Sequence, residues 1–244
     1  MGMKKIGFIL FSCMLALPVF AQQTPGQNVR TAAQQEIQQI RTAATESIEA
    51  ARTAMRAEIE KRQEEFKSMM REQREKTKKR IEEKQKTLRE RLQTIKDENK
   101  KRILENIDTR MDALNEQRTT QFESALDQMD GVVGRVVERA DRAEAQGRDV
   151  ASARAAIVHA KNAIASARSA VLAQAGKTYA ITITTDAKLK DDVKKTRDMF
   201  SGDLRVVFAS VKDARDAVHA AAVAVEQTAQ GEKEKTATSS NSNQ

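Results

Sequence analysis

Large apolar side chains return every eleven residues along the first half of the chain. Ile37, Ile48, Ile59, Met70, Ile81, Leu92, Ile103 and Leu114 keep this beat without a miss. A second row follows seven residues behind, through Ala44, Met55, Phe66, Thr77 and Leu88, and fails at Asn99 and Arg110. Eleven residues over three turns is about 3.67 per turn, close to the natural α-helix, so the stripe stays on one face with little supercoil. No glycine or proline lies between Gly26 and Gly131. The segment is also rich in Ala, Glu, Lys, Arg and Gln, all strong helix formers. The pattern predicts a linker at 22–28 and then one long charged helix or coiled-coil rod over 29–121, reaching roughly 150 Å.

The stripe is thin. Between Arg56 and Arg102 the chain carries 18 Lys or Arg and 11 Asp or Glu among 47 residues. Acid-then-base pairs stand four apart at Glu58/Arg62, Glu72/Lys76, Glu75/Lys79, Glu82/Lys86, Asp97/Lys101 and Glu98/Arg102. Each adds only ~0.2–0.5 kcal/mol, but together they hold a helix that has little else to pack on. Such a helix is expected to stay folded while exposed and to offer one seam. Its members are Ile37, Ile48, Met55, Ile59, Phe66, Met70, Ile81, Leu88, Leu92, Ile103 and Leu114. A second copy is the partner the seam suits best, giving a homo-oligomer, a dimer or trimer. The alternatives are a free-standing spacer, a helix lying on a lipid surface, and a helix folded back on itself.

After Phe122 the texture turns to Ala and Val. Phe122, Ala125, Met129, Val132, Val136, Ala140 and Ala143 keep a three-four spacing. Gly131 and Gly134 in this run predict a kink or a close contact, and Gly147 with Asp149 predicts a break and a new helix start. Val150, Ala153, Ile157, Ala160, Ile164, Ala167 and Val171 form a regular heptad closed by Gly176. A last helix opens near Thr185 or Asp186 and runs through Leu189, Val193, Phe200, Val207, Val211, Val218 and Val225. Alternating small and large positions predict an antiparallel three-helix bundle over 122–230. Between its last two helices, residues 177–186 alternate β-branched and polar side chains, which predicts one short extended or β segment at about 178–185. The tail 231–244 has no apolar period and is expected to be disordered. The fold class is therefore all-α.

The first 21 residues read as a signal peptide. Lys4 and Lys5 precede a fifteen-residue apolar run, and Val19-Phe20-Ala21 suits cleavage before Gln22. The run is short for a membrane anchor, so no transmembrane segment is expected once it is removed. The one cysteine, Cys13, leaves with it, and the mature chain then has no disulfide or thiolate chemistry. The expected location is exported: periplasmic, cell-surface or extracellular. The formal net charge of +8 falls to +6 with the two lysines gone. Aromatics make up 3% of the chain, which argues against a large mixed core.

Little in the sequence points to chemistry. His159 and His219 flank core positions, and Asp216, three residues before His219, is the one hint of a metal pair. No glycine-rich phosphate loop, G-x-S-x-G or H-E-x-x-H occurs. Neither an enzyme nor a bound cofactor or metal is expected. Arg74, Lys78, Lys79 and Arg80 form a basic stretch that suits a polyanion. Interleaved acids and the lack of stacking aromatics argue against nucleic acid, leaving an envelope polymer, an anionic lipid surface or a client protein.

"ALNEQRT" (113–119), the Ala-rich heptad helix and "QAGKTYAITITTDAKLKDDV" (174–193) together resemble a group of exported coiled-coil proteins of candidate-phyla bacteria. The resemblance covers about the C-terminal half and implies no activity. The chain is similar more loosely to the basic trimeric periplasmic chaperones with helical tentacles, which carry a β-sheet body where this sequence has one candidate strand. The expected function is an exported, non-enzymatic structural or adaptor protein of the cell envelope, self-associating through the seam. The alternative is a chaperone-like or polyanion-binding protein that uses the basic rod.

Overall fold

The computed structural model describes the chain from Asn28 to Ser240, with side chains placed from Ala32 to Thr228. The signal peptide expected at 1–21, Cys13 and nearly all of the 22–28 linker lie outside the described residues. Four helices follow one another: α1 (Asn28–Leu92), α2 (Glu98–Ala145), α3 (Ala151–Ala175) and α4 (Leu189–Ser240), the last entered by a single 3₁₀ turn at Asp186–Lys188. No strand occurs among the described residues, and the protein is all-α.

The uninterrupted helix expected over 29–121 is corrected at one point. α1 stops at Leu92, and Gln93, Thr94 and Ile95 donate back to the carbonyls of Glu90, Arg91 and Leu92. Asp97 then caps α2, its Oδ1 accepting from Asn99 N at 2.9 Å and Lys100 N at 3.3 Å. Asp97 fits a helix-surface pair with Lys101 by spacing alone, whereas here its carboxylate satisfies two otherwise orphaned backbone donors. Ile95, buried in the turn, fixes the reversal against the core. Asp97→Ala is expected to lower stability by about 1 kcal/mol, read as a lower urea midpoint at unchanged slope.

The chain divides into two units at Glu46. In the first, α1 residues 32–46 are exposed throughout, Ile37 and Ile40 included. There the hydroxyls of Thr42 and Thr45 donate to the carbonyls of Gln38 and Arg41, one turn back.

The second unit, from Ser47 onward, is a helical bundle. Cross-pairs Arg56–Glu138, Arg74–Glu123, Lys84–Asp112 and Arg89–Glu105 show α1 and α2 running antiparallel. One core cluster joins Phe66 and Met70 of α1 to Leu126 and Val133 of α2, Ile157 and Ile164 of α3, and Val207 and Val218 of α4. The three-helix bundle expected over 122–230 thus takes in α1 as a fourth member. Ala153, Ala160 and Ala167 are fully buried on α3 and leave it little bulk of its own, which Phe66 and Met70 supply. Gly134 makes the close contact expected of it: a Cβ there would lie 3.2 Å from Ile59 Cδ1. Gly147, at φ +78, makes the left-handed turn out of α2. Asp149 Oδ1 accepts from Ala151 N at 2.9 Å where α3 begins.

A second cluster lies at the α1–α2 turn and joins Leu88, Leu92, Ile95, Leu104, Met111, Leu189 and Phe200 to the extended segment. Residues 177–185 are neither helix nor strand. Their alternation buries Tyr179 and Ile181 here, and Tyr179 meets Phe200 edge-on at 5.0 Å. The tail expected to be disordered from residue 231 is helical to Ser240. Gly231 costs about 1 kcal/mol, too little to stop an established helix when no proline follows.

Candidate functional site

The apolar seam is mostly spent inside the bundle. Phe66, Met70, Leu88 and Leu92 are buried, Met55 packs on the first cluster, Ile59 touches α2, and Ile48 and Ile81 are half-buried. Ile37 in the first unit stays exposed, as do Ile103 and Leu114 on α2, at 54% and 42%. Those last two are corrected as members of one continuous seam, because the turn at 93–97 shifts the register by one residue. On α2 the inward rows are Leu104, Asn115, Leu126 and Val137, then Asp108, Thr119 and Asp130, then Met111, Phe122 and Val133. The eleven-residue beat continues through polar side chains, which is why apolar spacing alone does not reveal it.

Three of those polar positions, Asp108, Asn115 and Thr119, are buried. Lys84 of α1 lies 2.7 Å from Asp112 Oδ2 and 3.1 Å from Asp108 Oδ1, with 7%, 10% and 1% of the three side chains exposed. The Asp108 contact is an ion pair without hydrogen-bond geometry, and neither Asp108 oxygen receives a donor. Desolvation pushes both aspartates above the usual carboxylate range, against the pull of Lys84. Alongside, Gln174 Nε2 donates to Asn115 Oδ1 and to the Tyr179 hydroxyl, each at 2.8 Å. That hydroxyl donates to Asp203 Oδ2 at 2.7 Å, which Lys177 meets at 2.9 Å. Burial drives the Tyr179 proton-loss range upward, with Asp203 adding to it. Desolvation acts upward on Asp203 too, but the bonds from Lys177 and Tyr179 together hold it below its usual range. Asn115 Nδ2 also donates to the carbonyls of Gln174 and Lys177, so the network pins the extended segment to α2.

A second charged cluster sits farther from the α1–α2 turn. Arg168 of α3 spans Asp127 at 2.7 Å and Asp130 at 2.8 Å, and its guanidinium lies 4.8 Å over the Phe66 ring. Desolvation raises both aspartates above their usual range, opposed by Arg168. In each cluster one cation faces two carboxylates and ties neighbouring helices together.

The candidate polyanion residues diverge. Arg74 turns inward to Thr120 and Glu123, and Arg80 donates to the Gly176 carbonyl, while Lys78 and Lys79 are exposed. His159 and His219 are exposed on separate helices, and Asp216 is bonded by Lys212 and Arg215. No group of three or more His, Cys, Asp or Glu placed to hold a metal ion occurs among the described residues. None of the helices described is long and apolar enough to cross a membrane.

An apolar groove of about 700 Å³ lies between the start of α2 and the start of α4. Leu104, Ile107, Leu189 and Val193 make its floor, and Ile103 stands on its α2 edge. Three cations, Lys190, Lys194 and Arg197, and one acid, Asp198, line the α4 side, and the Lys100–Asp186 ion pair, at 2.9 Å, lies among its walls. Leu189 and Val193 read as core positions by spacing, and Ile103 as seam. That they share one groove follows from the α2–α4 packing, which no local pattern encodes.

Fold and site together define an all-α bundle with an apolar groove edged by cations and two buried charge clusters. No family model, curated protein or solved structure matches this chain.

Proposed function

We propose that this is an exported, non-enzymatic binding or adaptor protein of the cell envelope, with the groove between α2 and α4 as its binding site. The observation that carries this reading is the groove itself. Its lining is apolar at Ile103, Leu104, Ile107, Leu189 and Val193, with a line of cations along the α4 edge. Export is supported by the charged start, short apolar run and Val19-Phe20-Ala21 of the first 21 residues. A non-catalytic role is supported by the buried ionisable groups, which are engaged by opposite charges holding helices together. The resemblance over the C-terminal half, to exported coiled-coil proteins, points the same way.

A second reading keeps the self-associating scaffold, a dimer or trimer. It is favoured by Ile37 and Ile40, which are 51% and 63% exposed in the first unit and three residues apart. Sedimentation velocity on the mature chain from Gln22, at about 0.05 M and about 0.5 M salt, separates the two. A monomer at both salts is the result expected of the binding protein. A dimer or trimer that persists at both, as apolar packing does, overturns it in favour of the scaffold.

A further inference from the structure

We infer that the α2–α4 groove receives an amphipathic helix of another polypeptide, apolar on one face and acidic along the adjoining edge. The inference rests on the binding-protein reading and names its ligand class. Three features of the groove select this occupant.

The first is the line of cations. Lys190, Lys194 and Arg197 stand at i, i+4 and i+7 on α4, so they follow one edge for about 10 Å. None of the three has an ion-pair partner among the described residues, whereas Lys100 is already paired with Asp186. A single anionic headgroup would meet one of these cations. A helix with Glu or Asp at the same spacing meets all three, because both lines have the helical period. The second is the floor. Leu104 and Ile107 on α2 are three residues apart, and Leu189 and Val193 on α4 are four apart, which suits the i, i+3, i+4, i+7 anchors of a helix laid into a groove. The third is concavity. A lipid surface wants a convex apolar face lying in one plane, and this floor is sunk between two helices. The cation line also gives direction, since it attracts an acidic helix and repels a basic one.

The test uses the mature chain and a labelled synthetic peptide of roughly 18 residues, with Leu at the anchor positions and Glu along one flank. A twin with Lys in place of each Glu, and hexadecanoate, are the comparisons. Fluorescence anisotropy is expected to show saturable binding of the Glu peptide, weakened by salt, and about tenfold or more weaker binding of the Lys twin. Ile103→Asp, at an exposed position that leaves the core intact, is expected to weaken the Glu peptide by about tenfold. The Lys194→Glu/Arg197→Glu pair, also on the surface, is expected to reverse the preference toward the Lys twin. Equal binding of the two peptides, or indifference to both sets of substitutions, overturns the inference. So does the absence of saturable binding, or saturable binding of hexadecanoate that blocks the groove while the Glu peptide fails. Such a failure in a monomeric chain strikes the helix as ligand and leaves the binding reading standing. A salt-resistant oligomer in sedimentation strikes the binding reading itself.

Discussion

Lys84→Met is expected to destabilise the protein by about 3–5 kcal/mol near pH 7, because it leaves two buried carboxylates without their counter-charge. Lys84 is the ion-pair partner of Asp108, which is 1% exposed, and of Asp112, which is 10% exposed. The loss should shrink as the pH falls. Both aspartates already have folded-state proton affinities above the ordinary value, with desolvation as the leading cause. The folded state therefore binds protons before the unfolded state does as acid is added, and stability from these two groups rises as pH drops through that window. Removing Lys84 pushes both affinities further up and widens the window. Urea unfolding at about pH 7 and about pH 5 checks this: the gap between variant and parent should narrow at the lower pH. A gap that is constant or grows would mean the aspartates are not the stranded groups.

Arg168→Met is the second large effect, at about 3 kcal/mol. It removes the bridge between Asp127 and Asp130 and the cation over Phe66. The figure sits at the low end because the two carboxylates keep 21% and 15% exposure, and Lys67 remains 3.9 Å from Asp127. Asp130 loses its ion-pair partner and keeps only the weaker pull of Arg62 and Lys161. Adding Asp127→Asn and Asp130→Asn to Arg168→Met should bring stability back to within roughly 1–2 kcal/mol of the parent, since a buried triad is costly mainly when broken in part. Thermal or urea unfolding of the single and triple variants decides it. A triple variant no more stable than the single one would show that Arg168 acts through its packing on Phe66 and not through its charge.

These clusters mark where pattern reading stops. The apolar period locates Phe66, Met70, Leu88 and Leu92 as inward residues, and the heptad locates Ala153 through Val171. Both are local properties of a helix and are visible as spacing. Asp108, Asn115 and Thr119 occupy the same register on α2, but a polar side chain in a charged helix looks like surface until its partner is known. Lys84 is brought to Asp108 by the reversal at 93–97, and Gln174 to Asn115 by the packing of α3 on α2, while Thr119 bonds the carbonyls of Asn115 and Glu116 in its own helix. Lys84 itself sits among ten charged residues between Lys78 and Leu92, and only the fold separates it from its neighbours. The groove residues divide in the same way. Ile103 and Val193 are each legible as apolar positions, while their nearness depends on how α2 and α4 pack.

The sequence by itself determined the all-α class, the helix starts near 150 and 186, the break at Gly147 and the inward faces of α1 and α3. Each of these rests on backbone preference or helical period, which act over a few residues. The tertiary structure decided that the long charged helix reverses at Leu92, that its seam is used within the chain, and which charges are buried. A turn built on one aspartate cap and one buried isoleucine is a small local signal. Its selection over a continuous helix comes from the apolar area that α1 covers on α2, α3 and α4, which exists only once all four helices are in place.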